Sequence, residues 1–225
     1  MKDKRIVFIL CMNIIEIFAI VFFVIFAVKN RYTISYEDYF MGVVEIKIET
    51  TDGKNGYATG FKIENGILTN KHVIQKNNNY YKSIEYRNAN ETGYNVINKE
   101  NIIVDDSSDL AFINMETNNC LKLTDSFTLG DSIFTIGNPN GCGLGLSFGY
   151  VSAYNYSENF EMNVIRLDCS LNNGNSGGPV INKNGCVIGI VSFKINDLQG
   201  NALDGIAYAI PSNEIMRFLQ KCFRA

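Results

Sequence analysis

The residues best suited to chemistry form a glycine-rich segment around one serine, from Gly174 to Pro179, which reads GNSGGP. A serine hydroxyl is a weak nucleophile unless a base lies within hydrogen-bonding reach and donors stabilise the oxyanion that forms. Glycines let the backbone turn tightly, so that successive N–H groups can point at one place. The segment therefore predicts that Ser176 is a nucleophile beside an oxyanion site; an ordinary glycine turn before a strand is the alternative.

The only histidine of the chain, His72, follows an apolar segment that begins at Gly66. A single histidine is more often structural, but in a chain that carries GNSGGP it is the one conventional base available. The segment also fits the GxSxG elbow of α/β-hydrolases, which requires its histidine after the serine. Because His72 precedes Ser176, that class of hydrolase is excluded unless another base acts.

An aspartate that could hold the imidazole tautomer opens the apolar segment 109–113, at the predicted edge of a strand. Asp105 and Asp106 lie nearby and compete with Asp109 for this role, and spacing alone does not separate them. The chain order His72, Asp109, Ser176 matches the order of a chymotrypsin-type triad.

The N-terminal part contains a nearly unbroken apolar run over residues 6–28, interrupted by Asn13 and Glu16. A helix of this length spans a hydrocarbon core of about 30 Å, so the run predicts a membrane anchor within residues 1–31. A cleaved signal peptide and a buried core helix are the alternatives. Basic residues flank both ends, and their distribution favours the N-terminus inside. Residues 32–41 are predicted to be a juxtamembrane linker.

From residue 42 onward the sequence predicts an all-β domain, because short alternating segments are separated by turn signals. A polar stretch from Asn118 to Asp125 divides this region into halves that could each form a small barrel. One helix is predicted at the end, with Ser212 as its cap. Its apolar stripe is predicted to pack in the core and consists of Ile215, Phe218, Leu219 and Cys222.

Composition excludes several classes of protein. The net charge is −3, and the first 31 residues carry five basic and two acidic side chains, which leaves −6 for the remainder. An acidic domain without a basic stripe argues against nucleic-acid binding. One histidine and six cysteines without a CxxC pair predict no metal site, and no cofactor is expected. Cys11 lies in the apolar run, so five cysteines remain in the domain, and at least one thiol is free or pairs between chains.

Six sequence blocks together resemble the trypsin-like serine proteases, specifically the HtrA/Deg family. They span about residues 58 to 211 and contain all three prolines of the chain. The blocks are Ala58–Phe61, Ile67–Val73, Ser108–Ala111, Ile136–Pro139 through Val151–Ala153, Gly174–Pro179 and Gly205–Pro211.

The resemblance implies an all-β, chymotrypsin-like fold of two six-stranded Greek-key β-barrels with the active site between them. Barrel one would cover about residues 42–122 and barrel two about 123–211, followed by a C-terminal helix over 212–223. The protease domain would thus cover residues 42–225, and the predicted N-terminal transmembrane helix would precede it. The chain ends after the helix, so no PDZ domain of the kind common in this family is expected.

The resemblance also assigns roles to individual residues. His72, Asp109 and Ser176 would be the catalytic triad, and the N–H groups of Gly174 and Ser176 would bind the oxyanion. The substrate pocket would include Ser170, Ile190 and Ser192. Because Ser170 carries no charge, the preferred residue before the cleaved bond is expected to be small or medium-sized and apolar.

Two functions follow from these residues. The first is a single-pass membrane serine endopeptidase that cleaves unfolded protein or peptide substrates on the outer side of the cell membrane and could form a homotrimer. The second is a catalytically silent, membrane-tethered module that binds proteins on the same fold. The complete triad favours the endopeptidase.

Overall fold

The computed structural model describes residues 2–30, 35–158, 160–196 and 202–224, which fall into two compact units, 1–35 and 36–225. The first unit contains helix α1, Lys2–Asn30. Its large apolar side chains from Met12 to Phe26 are exposed over 44–71% of their surface. Among the described residues, no helix meets the length and hydrophobicity needed to cross a membrane, so the predicted transmembrane helix over 6–28 is not supported. Side chains 6–11 and 27–28 of that prediction lie outside the described residues.

The second unit begins with the one-turn helix α2, Tyr36–Phe40, within the predicted linker 32–41, of which residues 32–34 lie outside the described residues. Nine strands, one short α-helix and a 3₁₀ turn over Lys99–Asn101 follow before residue 115. They are β1 Val43–Glu49, β2 Asn55–Ile63, β3 Gly66–Asn70, α3 Lys71–Ile74, β4 Gln75–Lys76, β5 Asn79–Tyr80, β6 Ser83–Asn88, β7 Asn95–Val96, β8 Ile102–Asp105 and β9 Leu110–Asn114.

Seven of these strands form one sheet in the order β7-β6-β1-β2-β3-β9-β8, while β4 and β5 pair with each other. The order β6-β1-β2-β3 is a Greek key. The strands β1, β2 and β3 are neighbours in sequence order, and β6 then returns to pair with β1. Within the described residues no ladder joins β8 back to the other end, so this sheet is an open barrel. The β2–β3 hairpin turns at Asn65, whose φ of 66° suits asparagine.

The second half contains seven further strands and a final helix. They are β10 Lys122–Leu123, β11 Ser132–Gly137, β12 Gly145–Ser157, β13 Met162–Leu167, β14 Pro179–Asn182, β15 Cys186–Asn196, β16 Ala202–Pro211 and α4 Ser212–Cys222. The sheet order is β10-β15-β14-β11-β12-β13-β16, and β15 also pairs with β16. Six strands therefore close into a ring, and β14-β11-β12-β13 repeats the Greek key. Each sheet has seven strands, one more than the six predicted for each barrel. The additional strands are β7 and β10, which have two residues each and lie at a sheet edge.

Three hydrophobic clusters hold this unit together. One lies inside the first sheet and includes Ile46 and Ile67, and one lies inside the second and includes Ile165. The third joins both sheets, with Phe61 and Phe112 from the first and Ile190 from the second. Side chains of α4 complete this joint cluster, which confirms the predicted packing stripe; they are Ile215, Phe218, Leu219 and, partly buried, Cys222.

One local prediction was wrong. Ser212 is the first residue of α4 and not its cap, because its Oγ donates to the Val187 carbonyl oxygen at 2.8 Å and the cap position is Pro211. Glu45 on β1 is a charged residue in the interior, with 5% of its surface exposed. Glu45 is tolerated in the interior because buried donors surround its carboxylate.

Candidate active site

His72 lies in the short helix α3, which follows strand β3 of the first barrel. Val73 and Ile74 are buried and fix this turn in the first-barrel core, while the His72 side chain is 49% exposed. The apolar residues that follow His72 thus anchor the backbone and leave the imidazole accessible from the cleft.

Asp109 stands at the start of β9 with a left-handed φ of 53°. Its carbonyl oxygen accepts from Lys71 N at 3.1 Å and from Asn70 Nδ2 at 3.1 Å, which holds it against the start of α3. Its carboxylate accepts from His72 N at 3.0 Å and lies 2.8 Å from His72 Nδ1. A carboxylate at Nδ1 favours the tautomer with a proton there, which leaves Nε2 free to act as a base.

The two competing aspartates have other partners. Asp106 forms an ion pair with Lys71 at 2.5 Å. Asp105 accepts from the hydroxyl groups of Ser107 and Ser108, both at 2.8 Å. Burial raises the pKa of Asp105, but the hydrogen bonds from these serines outweigh it and lower that pKa overall. The structure therefore brings Asp109, and neither competitor, to the imidazole.

Ser176 belongs to the loop between β13 and β14 of the second barrel and is partly exposed. Its Oγ donates to the Ser192 carbonyl oxygen at 3.1 Å, and among the described residues it makes no hydrogen bond to His72. Ser192 Oγ in turn donates to Asp109 Oδ2 at 2.7 Å. Ser192 is thus bonded to both halves of the predicted triad, and a rotation about the Ser176 Cα–Cβ bond is needed to direct its hydroxyl toward the imidazole.

The loop around Ser176 depends on two glycines with positive φ, Gly174 at 100° and Gly177 at 84°. A Cβ atom at Gly174 would overlap the Asn138 carbonyl oxygen, and one at Gly177 would overlap the Thr59 carbonyl oxygen. Within the described part of the chain, the N–H groups of Gly174 and Ser176 donate no hydrogen bond. Both are therefore free to bind an anion, as an oxyanion site requires.

A cavity of about 730 Å³ adjoins His72, Asp109 and Ser192. Of the predicted pocket residues, Ser192 lines this cavity, although its side chain is engaged with Asp109. Ser170 is exposed and is not among the lining residues. Ile190 is completely buried and belongs to the joint core, so it supports the fold and does not face the cavity.

Sequence reasoning missed the side chains that fix the serine loop, above all Thr59 and Asn138. Both are completely buried, and Thr59 Oγ1 donates to the Gly174 carbonyl oxygen at 2.7 Å. Each lies within a block that carries the family resemblance, which was the one signal available. Their contacts span 79 and 115 residues, so no local pattern predicts them.

Among the described residues, no cluster of three or more histidine, cysteine, aspartate or glutamate side chains could hold a metal ion. Cys169 is buried in the second-barrel core. The other described thiols are free and are Cys120, Cys142, Cys186 and Cys222.

Comparisons with known proteins agree with this geometry. A family model described as "Trypsin-like peptidase domain" matches residues 58–190. The "Probable periplasmic serine protease do/HhoA-like" of Haemophilus influenzae is 36% identical over 164 residues, covering 69% of this chain and 33% of that protein. The "Periplasmic serine endoprotease DegP" of Salmonella typhimurium is 37% identical over 158 residues, covering 66% of this chain and 31% of DegP. This chain thus spans about a third of either relative.

A solved structure of the "HtrA-type protease AlgW with tripeptide" superposes with a TM-score of 0.70 at 24% identity, covering 83% of this chain and 63% of that one. This likeness shows a shared fold and confirms the predicted class, a mostly β, chymotrypsin-like architecture with a C-terminal helix. Since the family model matches more than half of the residues, the chain belongs to the trypsin-like peptidase domain family, with HtrA/Deg serine proteases among its relatives.

Proposed function

We propose that this chain is a serine endopeptidase whose triad is His72, Asp109 and Ser176. The observation that carries the proposal is the Asp109 carboxylate, which bonds the imidazole at Nδ1 and is linked through Ser192 to the serine. A carboxylate in this position stabilises the imidazolium that forms when histidine takes a proton.

In the proposed reaction the Ser176 hydroxyl turns from the Ser192 carbonyl oxygen to His72 Nε2 and attacks the peptide carbonyl carbon. The imidazole takes the hydroxyl proton and passes it to the leaving amine, which leaves an acyl-enzyme on Ser176. The N–H groups of Gly174 and Ser176 bind the developing oxyanion. Water then attacks the ester with the imidazole as base and releases the second product.

The proposed substrates are unfolded proteins or peptides. The AlgW structure named above is described as holding a tripeptide, and the relatives are named as proteases. The uncharged Ser170 supports a small or medium-sized apolar residue before the cleaved bond. A panel of peptides that differ only at this position checks the preference, and faster cleavage after arginine or glutamate would contradict it.

We further propose that residues 1–31 anchor the protein in the cell membrane and that the protease domain, 42–225, lies outside the cytoplasm. The exposed apolar side chains of α1 support an apolar environment around this helix. Both relatives named above are described as periplasmic. Extraction of the full chain from membranes by carbonate at high pH, without detergent, would contradict the anchor.

A homotrimer is the proposed assembly. It rests on the resemblance to HtrA/Deg proteases, which are often trimers. A candidate contact surface is the aromatic cluster in which Tyr36 contacts Phe134 and Phe148 edge to face, at 5.1 and 5.4 Å between ring centres. Phe148 is 58% exposed, and a partner subunit would cover it. The mass of the detergent-solubilised full chain in light scattering tests this assembly, and a monomer at micromolar concentration would contradict it.

The central experiment is labelling of the full chain with a fluorophosphonate, together with degradation of unfolded casein. We expect the wild type to label and to degrade casein, and Ser176→Ala to do neither. A wild type that does neither, or a variant as active as the wild type, would contradict the endopeptidase.

The second candidate function is the catalytically silent binding module. The observation in its favour is that the Ser176 hydroxyl bonds Ser192 and not the imidazole. Equal capture of an unfolded protein by wild type and Ser176→Ala, without cleavage or labelling, would support it.

A further inference from the structure

A buried polar chain outside the triad connects the first barrel to the serine loop, and Asn138 is at its centre. Asn138 follows β11 and is completely buried. Its Nδ2 donates to Glu45 Oε2 at 2.7 Å, its Oδ1 accepts from Gly143 N at 2.8 Å, and its backbone N donates to Thr59 Oγ1 at 2.9 Å. Each of these three polar atoms thus has a hydrogen-bond partner, which fixes the orientation of the side-chain amide.

The outer end of the chain is the Glu45 carboxylate, whose side chain is 6% exposed. Arg87 Nη2 donates to Oε1 at 2.7 Å, and the hydrogen bond from this residue to Glu45 raises the pKa of Arg87. Arg87 also lies over the Tyr94 ring at 4.7 Å. A buried carboxylate is tolerated when paired and hydrogen-bonded, and its charge strengthens the bond from the Asn138 amide.

The inner end of the chain is Thr59 on β2. Its Oγ1 accepts from Asn138 N and donates to the Gly174 carbonyl oxygen at 2.7 Å, and its N donates to the Ser176 carbonyl oxygen at 3.0 Å. Its own carbonyl oxygen accepts from Thr69 Oγ1 at 2.8 Å, one strand away on β3. All of its polar groups are therefore used, and two of them hold the serine loop.

These contacts determine where the oxyanion donors point. The Asn173 carbonyl oxygen accepts from Asn140 N at 2.7 Å, in the turn that begins at Asn138. The Asn173 carbonyl and the Gly174 N–H belong to the same peptide unit, which is planar and trans. The bond from Asn140 N therefore makes the Gly174 N–H point away from Asn140. The bond from Thr59 N to the Ser176 carbonyl oxygen and the bond from its Oγ1 to Gly174 hold the rest of the loop.

We propose that Glu45, Asn138 and Thr59 are positioning residues that hold the Gly174 and Ser176 N–H groups in place for the oxyanion. This inference rests on the proposed endopeptidase function and adds that a carboxylate in one barrel supports transition-state binding by a loop of the other. Preorganised donors act on the reaction rate more than on ground-state binding, since the charge on the oxygen develops in the transition state.

The test uses the full chain in detergent and measures how fast a fluorophosphonate labels it over a range of probe concentrations. Thr59→Val removes the hydroxyl and keeps the shape, whereas Thr59→Ser keeps the hydroxyl. We expect Thr59→Val to lower the maximal labelling rate by about 10-fold or more. Complete loss of one oxyanion donor lowers the rate by about 10² to 10³, and this variant should displace the donors without removing them. The concentration for half-maximal rate should stay within about 2-fold, and Thr59→Ser should restore the rate.

Glu45→Gln is the second variant and keeps the size of the side chain while removing its charge. We expect about a 3- to 10-fold lower maximal rate. Glu85→Gln on β6 and Thr128→Val on an exposed segment are the matched controls and should label like the wild type.

Each result decides a different question. A Thr59→Val rate within 2-fold of the wild type, or a change confined to the half-maximal concentration, overturns the positioning role. If Thr59→Val does not fold, Glu45→Gln decides, and a rate within 2-fold of Glu85→Gln overturns it. A wild type that does not label contradicts the endopeptidase and the positioning role together, whereas labelling of wild type and Thr59→Val alike contradicts the positioning role alone.

Discussion

The two barrels contribute to the site in different ways. The first barrel supplies His72 and Asp109, which are joined directly by their own side chains and lie at the ends of the paired strands β3 and β9. The second barrel supplies the proposed nucleophile Ser176 on a loop that Thr59 of the first barrel contacts twice, through its backbone N and through its side-chain Oγ1. The acid–base pair is therefore built within one barrel, whereas the geometry of the serine loop is a property of the contact between two.

The largest effect should come from breaking the acid–base pair alone. Asp109→Asn keeps the shape of the side chain but no longer favours the tautomer with a proton on Nδ1. We expect kcat for peptide cleavage to fall by about 10⁴. Binding of a peptide boronate that occupies the oxyanion site should fall far less, because the serine loop is untouched. A loss of kcat below about 10-fold would contradict the division between the two halves.

The reverse experiment disturbs the serine loop and leaves the acid–base pair intact. Gly174→Ala places a methyl group against the Asn138 carbonyl oxygen at a φ of 100°. We expect kcat to fall by about 10² to 10³, because the oxyanion donors move. The matched control is Gly130→Ala, since Gly130 has a φ of 83° but no atom near the added methyl. Equal activity of the two variants would contradict the role of the Gly174–Asn138 contact in holding the serine loop.

The smallest effect concerns the residue that connects the halves. Ser192→Ala removes the bond to Asp109 Oδ2 but keeps the carbonyl oxygen that accepts from Ser176. Loss of one hydrogen bond to a charged group corresponds to about 1.5–3 kcal/mol, or roughly a 10- to 100-fold lower kcat. Ser152→Ala on exposed β12 is the control, with no change expected. A Ser192→Ala rate equal to that of the control would show that the connection has no catalytic role.

The contrast between the barrels also explains what the sequence could predict. His72 follows the apolar strand β3, and Asp109 directly precedes the apolar strand β9. Alternation and turn signals in the sequence therefore indicated where their backbones lie. The stripe of α4 was predictable for the same reason, because its period is local. Chain order excluded the α/β-hydrolase elbow for Ser176 without any structural information.

Contacts between distant segments were not predictable. Nothing in the sequence near Glu45 indicates that Arg87 and Asn138, which lie 42 and 93 residues away, bond its carboxylate. Ile190 stays a predicted pocket residue, and its burial in the joint core was not predicted from the sequence. Ser212 resembled a cap in the sequence, yet it bonds Val187, which lies 25 residues earlier.

The position of Thr59 at the seam between the barrels has a consequence for how this molecule fails. Any movement that separates the two barrels must break the bonds from Thr59 to Gly174 and Ser176 together. In the proposed peptidase this would remove the support of both oxyanion donors, so a partly opened copy would lose activity while each barrel is still folded.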